Sequence, residues 1–206
     1  AAYAASFVGF VAVAVSQTRA AWVGLAIALV VVWPAIGGWV RSHRGIVLSV
    51  FLVGVVIIGV SPLADRVTSA RDFESGGGRG RIDEWRVGAA VLAEHPVVGL
   101  GFEGYRIGFA EGVDAEYEQR YGRTFTPDRA HSGFLDIGVT AGLPGMVIYL
   151  TGGLALVVSS IKGVRSGPPW LIGIAGGVVA YLGQQQFLFP IIEVDGVFWV
   201  FAGILV

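Results

Sequence analysis

The chain has 206 residues, of which 54% are hydrophobic and only 14% charged, against about a quarter charged in soluble globular proteins. Together with a mean hydropathy of +0.72 this excludes a soluble domain and reads as an integral membrane protein. A net charge of −1 excludes bulk attraction to a polyanion, so no nucleic-acid partner is expected and any anion must be held by local arginines; the lack of cysteine excludes structural disulfides and thiolate metal sites.

Taken in order, residues 1–15 read as the tail of a span, too short as it stands to cross about 30 Å of hydrocarbon. The chain starts at Ala1 and stops at Val206 inside apolar runs, with no initiator Met or charged leader, and reads as an internal fragment. After the polar turn Ser16-Gln17-Thr18-Arg19, residues 20–40 give 21 largely apolar positions, with Pro34 as a kink point and Trp33 and Trp39 as interfacial anchors. Arg41, His43 and Arg44 make a basic loop, and residues 45–63 a Val- and Ile-rich span.

Residues 61–142 then carry 22 of the 29 charged side chains, nine arginines and thirteen acids, and read as a folded extramembrane segment that holds the chemistry. Beyond it, residues 143–161 and 170–189 are spans, 196–206 the start of a last one, and Lys162 and Arg165 a second basic loop. Neither basic loop holds an acid, and alternation of spans puts both on one side, the cytoplasmic side by the positive-inside bias. The Ser16 turn, the polar segment and the turn Glu193-Val194-Asp195 then face outward. The expected fold is all-α: a polytopic transmembrane helical bundle in the cytoplasmic (inner) membrane, with transmembrane helices over 1–63 and 143–206 and a helical extracytoplasmic segment over 64–142.

Within that segment, Gly76-Gly77-Gly78-Arg79-Gly80-Arg81 opens a helix expected over 82–95, with Asp83 and Glu84 in its first turn, Ile82, Trp85, Ala89 and Leu92 at helical spacing, and Pro96 as its stop. His95 reads as the cap at its end. Val97-Val98-Gly99-Leu100-Gly101 is a glycine-punctuated turn packed against the membrane face rather than a nucleotide loop, since no strand and helix frame it. Thr126-Pro127-Asp128 reads as a cap that launches a helix through His131, Phe134, Leu135 and Ile137. Gly142-Leu143-Pro144-Gly145 breaks that helix before the next span.

Thr18-Arg19-Ala20 at the head of a span, Arg81-x-x-x-Trp85, His95-Pro96-Val97-Val98-Gly99-Leu100-Gly101, and Ala130-His131 followed by Leu135 and Gly142-Leu143-Pro144-Gly145 together resemble the O-antigen ligase and polymerase superfamily, over residues 16–150. The resemblance implies a GT-C-like polytopic enzyme. Such an enzyme moves a glycan from an undecaprenyl-diphosphate carrier to a lipid core, a growing polysaccharide or a protein at the outer face of the membrane, with no metal and no cofactor. It implies that Arg19 and Arg81 hold the diphosphate and that His131 acts on the acceptor hydroxyl. Arg86 joins the arginines as a diphosphate ligand, and Arg79 and Trp85 are further candidates. Ser132 departs from the pattern, standing where the family often has Asn.

The residue chemistry fits that role independently. A guanidinium fork matches phosphate oxygens and stays protonated at any working pH, and a neutral imidazole, with a reference pKa near 6.5, can accept a hydroxyl proton. No set of Asp, Glu and His has metal-ligand spacing. Without the resemblance, Arg19 reads equally as a snorkelling anchor, Arg79 as solvated, Arg86 and Arg106 as paired with nearby acids, and His131 as a helix-surface histidine. Gln184, Gln185, Gln186, Glu193 and Asp195 line a cavity or simply end their spans. Segment 111–123, with Tyr117 and Tyr121, is the most acceptor-facing surface by exposure. A small-solute or bicarbonate-type transporter and an assembly scaffold are the alternative classes; the first calls for ionisable residues near the bilayer midplane, and the spans hold almost none.

Overall fold

The computed structural model describes residues 18–49, 52, 78–124, 126–188 and 192–206, with only the backbone described at Arg19, Arg79, Ile192 and Glu193. The expected spans over 1–15 and most of 45–63, the Ser16 turn and the start of the polar segment lie outside the described residues. Among the described residues seven helices follow one another: α1 (Arg19–Ser42), α2 (Gly78–Glu94), α3 (Gly104–Gly112), α4 (Ala115–Tyr121), α5 (Gly133–Ser166), α6 (Leu171–Gln185) and α7 (Ile192–Leu205). No strand occurs among the described residues.

α1 and α5 are long and apolar enough to cross a membrane, and α6 and α7 are shorter apolar helices. Fewer than a quarter of the residues in the most apolar stretch of either long helix are buried. Val30, Ile148 and Leu154 therefore face outward, which suits hydrocarbon and not water. Small residues let these helices approach: a side chain at Gly24 of α1 would run into the Ala180 carbonyl of α6, and one at Gly183 would sit 3.2 Å from the Gly24 Cα. Leu156, Val178, Phe198 and Ala202 then join α5, α6 and α7 in one apolar cluster.

A second core, Val87, Val91, Tyr105, Phe109, Tyr117, Ala130 and Val139, holds α2, α3, α4 and the first turns of α5 together. The described part of the polar segment, from residue 78 on, thus packs around one core, with apolar positions of α2 turned inward and most of its charges left on the rim. Its helix α2 starts at Gly78, a turn before the expected start, so Asp83 and Glu84 fall beyond the first turn. The expected cap at Thr126-Pro127-Asp128 is not used. α5 begins at Gly133, capped by Ser132, whose Oγ accepts from Leu135 N at 3.5 Å. A Ser hydroxyl directly before the helical run wins because its oxygen reaches the unpaired N–H groups of the first turn.

At 34 residues α5 is longer than a bilayer crossing requires, and it is broken at Gly142 (φ 67°, ψ −170°). The break and the His95-to-Gly101 loop explain one another through backbone hydrogen bonds. A regular helix would pair Leu143 N with Val139 O, and Pro144 has no N–H for Thr140 O. Instead Leu143 N donates to Pro96 O (2.7 Å), Leu100 N to Val139 O (2.8 Å) and Gly101 N to Thr140 O (2.9 Å). Glycine is required on both sides of the contact: a Cβ at Gly99 (φ 68°) would lie 2.6 Å from Val139 O, and one at Gly142 2.5 Å from Val97 O. The loop leaves Val97, Val98 and Phe102 largely exposed beside Leu143, where the apolar part of α5 begins.

Candidate functional site

The site forms where α2 meets the loop that leads into α5. Arg81, Glu84, Trp85 and Gly88 recur at helical three- and four-residue spacing and so share one face of α2. The loop passes close to that face at Gly88, where a Cβ would lie 3.6 Å from the Ala130 Cβ. His131 follows with φ 51°, a left-handed conformation uncommon for a residue with a side chain. Two buried groups hold it there: Asp136 Oδ1 accepts from Ala130 N at 2.9 Å, and Ser132 caps the helix.

So held, the His131 ring has Nδ1 buried 3.1 Å from Glu84 Oε2, while the side chain as a whole keeps 30% of its exposure. The exposed edge of the ring therefore lies away from Glu84. The Glu84 carboxylate lifts the His131 pKa above its ordinary value, against burial and the Arg81 charge, which both lower it. Glu84 is fixed in turn by the buried Tyr105 hydroxyl, which donates to its carbonyl at 2.9 Å. Burial, with the negative charge of Glu84 second, pushes the Tyr105 phenol far up, so it remains a neutral donor.

Other parts converge on the same end of the bundle. Trp85 packs on Phe187, ring centroids 6.3 Å apart, just past the end of α6. A Cβ at Gly133 would lie 3.1 Å from Gln185 O, and one at Gly24, less than two turns from Arg19, 3.1 Å from Gln184 N. The start of α1, the end of α6 and the His131 loop thus meet. Below them Gln185 Nε2 donates to Asp195 Oδ1 (3.3 Å), Tyr181 OH donates to the same oxygen (2.5 Å), and Gln186 Nε2 donates to Tyr149 OH (3.0 Å). The expected polar ends of these spans are thus joined in a network that pairs the α7 carboxylate.

Arg81, Trp85 and His131 are brought together; Arg86 is not. Five residues on from Arg81, it stands about 140° round the helix, 65% exposed and 3.6 Å from Asp83. Arg106 likewise pairs with Glu103 at 3.4 Å. His95 is more than a cap, since its Nε2 lies 2.8 Å from Glu111 Oε2. Glu84 and Asp136 enter the site without having been singled out in the sequence. The first carried a signal, its three-residue spacing from Arg81 on one helix. The second is visible only once the loop is folded back on α5.

Residues 4–150, more than half of the chain, match the family model described as O-Antigen ligase, and the chain belongs to that family. No curated protein and no solved structure matches it. The match spans α1 through the break in α5, and so includes Arg19, Arg81 and His131. Membership supports glycan transfer of the O-antigen ligase type and does not favour a transporter. With the exposed apolar helices it also marks a helical membrane protein.

Proposed function

We propose that the chain moves a glycan from an undecaprenyl-diphosphate carrier to a hydroxyl of a lipid core, a growing polysaccharide or a protein, at the outer face of the cytoplasmic membrane. The single observation that carries this is the meeting of Arg81, Glu84 and His131 on one face of α2, beside the end of α6. The acceptor oxygen attacks the anomeric carbon, the bond from that carbon to the carrier diphosphate breaks, and the hydroxyl proton passes to the outward edge of the His131 imidazole. Glu84 stabilises the imidazolium formed, as a carboxylate does behind a catalytic histidine. Arg81, with Arg19 at the head of α1, meets the charge that grows on the leaving diphosphate. Trp85 lines the same face, and Arg79 stands two residues before Arg81 in the first turn of α2.

The acid-free basic clusters, Arg41 to Arg44 at the end of α1 and Lys162 to Arg165, which lie in the last turns of α5 and not in the expected loop, support the orientation with residues 64–142 outside. The test is to incubate radiolabelled lipid-linked glycan with the purified full-length protein and acceptor. Label transferred to the acceptor supports the proposal; solute uptake into vesicles without transfer sinks it.

A further inference from the structure

Segment 111–123 builds a cavity on the face of α2 next to the His131 face. α3 ends at Gly112 against α2, where a Cβ would lie 2.7 Å from Val87 O, so only glycine lets the chain turn this close. Asp114 then caps α4 by accepting from Tyr117 N at 2.7 Å. α4 returns Arg120 to α2, where Nη1 donates to Asp83 Oδ2 at 2.5 Å and Nη2 to Glu116 Oε1 at 2.6 Å. Asp83 is buried, is also bonded by Tyr121 OH at 3.0 Å, and anchors the whole arrangement. What remains between the helices is a cavity of about 210 Å³ with Val87 and Ala90 as apolar wall and Arg86, Asp114, Glu116 and Arg120 around the rim.

We propose that this cavity is a subsite for a sugar ring of the acceptor glycan, a proposal that rests on the glycan-transfer function above. Carboxylates and guanidinium groups around one cavity suit a ligand whose neighbouring hydroxyls both donate and accept, and the apolar wall suits the C–H face of the ring. A phosphate would face three carboxylates against two arginines. Among the described residues no group of His, Asp and Glu is placed to hold a metal ion. Asp83 and Glu84 are adjacent on α2, so the cavity and the His131 site leave one turn of the helix about 100° apart, across a helix about 10 Å wide. A short oligosaccharide bridges that distance. Arg86, expected at the diphosphate, here holds the acceptor instead.

The experiment uses oligosaccharides of one to three repeat units, released by mild acid from the source organism's own surface glycan. Saturation-transfer NMR on the full-length protein in detergent, without donor, should show binding that Arg86→Ala and Glu116→Gln each weaken about tenfold, the scale of one charge-assisted hydrogen bond. In the transfer assay the same variants should raise the acceptor KM about tenfold and leave the donor KM alone. Binding that is absent in the wild type or unchanged in both variants overturns the subsite, as does a rise in donor KM in place of acceptor KM. If the wild type transfers no glycan, the function above fails, and the binding measurement alone still decides the subsite. Unfolding temperatures near wild type for both rim variants show that the fold is kept.

Discussion

Glu84 and His131 reach one another from α2 and from the loop before α5, with Oε2 3.1 Å from the buried Nδ1. That contact determines how the site titrates. With His131 as the proposed base, which must be neutral to act, the rate should rise with pH through the His131 pKa, which Glu84 lifts above its ordinary value. Glu84→Gln removes the largest upward influence and should move the limb to lower pH, with the plateau reduced at least tenfold because the imidazolium loses its partner. Arg81→Ala removes a downward influence and should move the limb to higher pH. Rate profiles of the two variants that shift in the same direction would contradict this arrangement.

Asp136 acts on the site through the backbone. Its Oδ1 accepts from Ala130 N in a buried setting, so Asp136→Ala leaves that N–H unpaired at a cost of about 1–3 kcal/mol. The expected result is a lower unfolding temperature together with a lower kcat, as His131 leaves its left-handed conformation. Asp136→Asn keeps an acceptor oxygen and should recover most of both. Failure of Asn to recover more than Ala would mean that Asp136 acts by its charge.

The break in α5 is a glycine-dependent joint. Gly142→Ala places a Cβ against Val97 O at a positive φ and should cost about 1–3 kcal/mol. Gly99→Ala disrupts the same contact from the other side. Because they share one set of hydrogen bonds, the double variant should lose less stability than the sum of the singles. Additive losses in denaturant unfolding would mean that the loop and the kink are independent.

Much of this was legible in the sequence. The hydrophobic run over 20–40 is the body of α1, and the Gly142-Leu143-Pro144-Gly145 break falls at Gly142, because apolar length and a helix-breaking pair are local signals. The start of α5 was misplaced because Thr126-Pro127-Asp128 has the composition of a cap, and only the packing of Ala130 under α2 decides that Ser132 is used. The role of Glu84 was hidden because an acid near a helix start has an ordinary reason to be there. Its partner comes from a distant loop, and that closure is a tertiary fact. Arg86 stands with Arg81 as a diphosphate candidate in the sequence, but five residues along a helix place the two on different faces.

Topology can be checked with single cysteines in a chain that has none. Gln119→Cys, exposed on α4, should react with a membrane-impermeant thiol reagent in intact cells, and Ser42→Cys at the end of α1 should react only after lysis. The reverse pattern would put His131 on the side of the membrane opposite to the one proposed.

The most direct test of the central claim is His131→Gln in a purified transfer assay with lipid-linked glycan and acceptor. Glutamine keeps hydrogen-bonding capacity but cannot take a proton, so turnover should fall about a hundredfold or more while carrier binding by the arginines persists. Turnover at the wild-type rate with an unchanged pH profile would contradict a histidine base and leave catalysis to stabilisation of the leaving diphosphate alone.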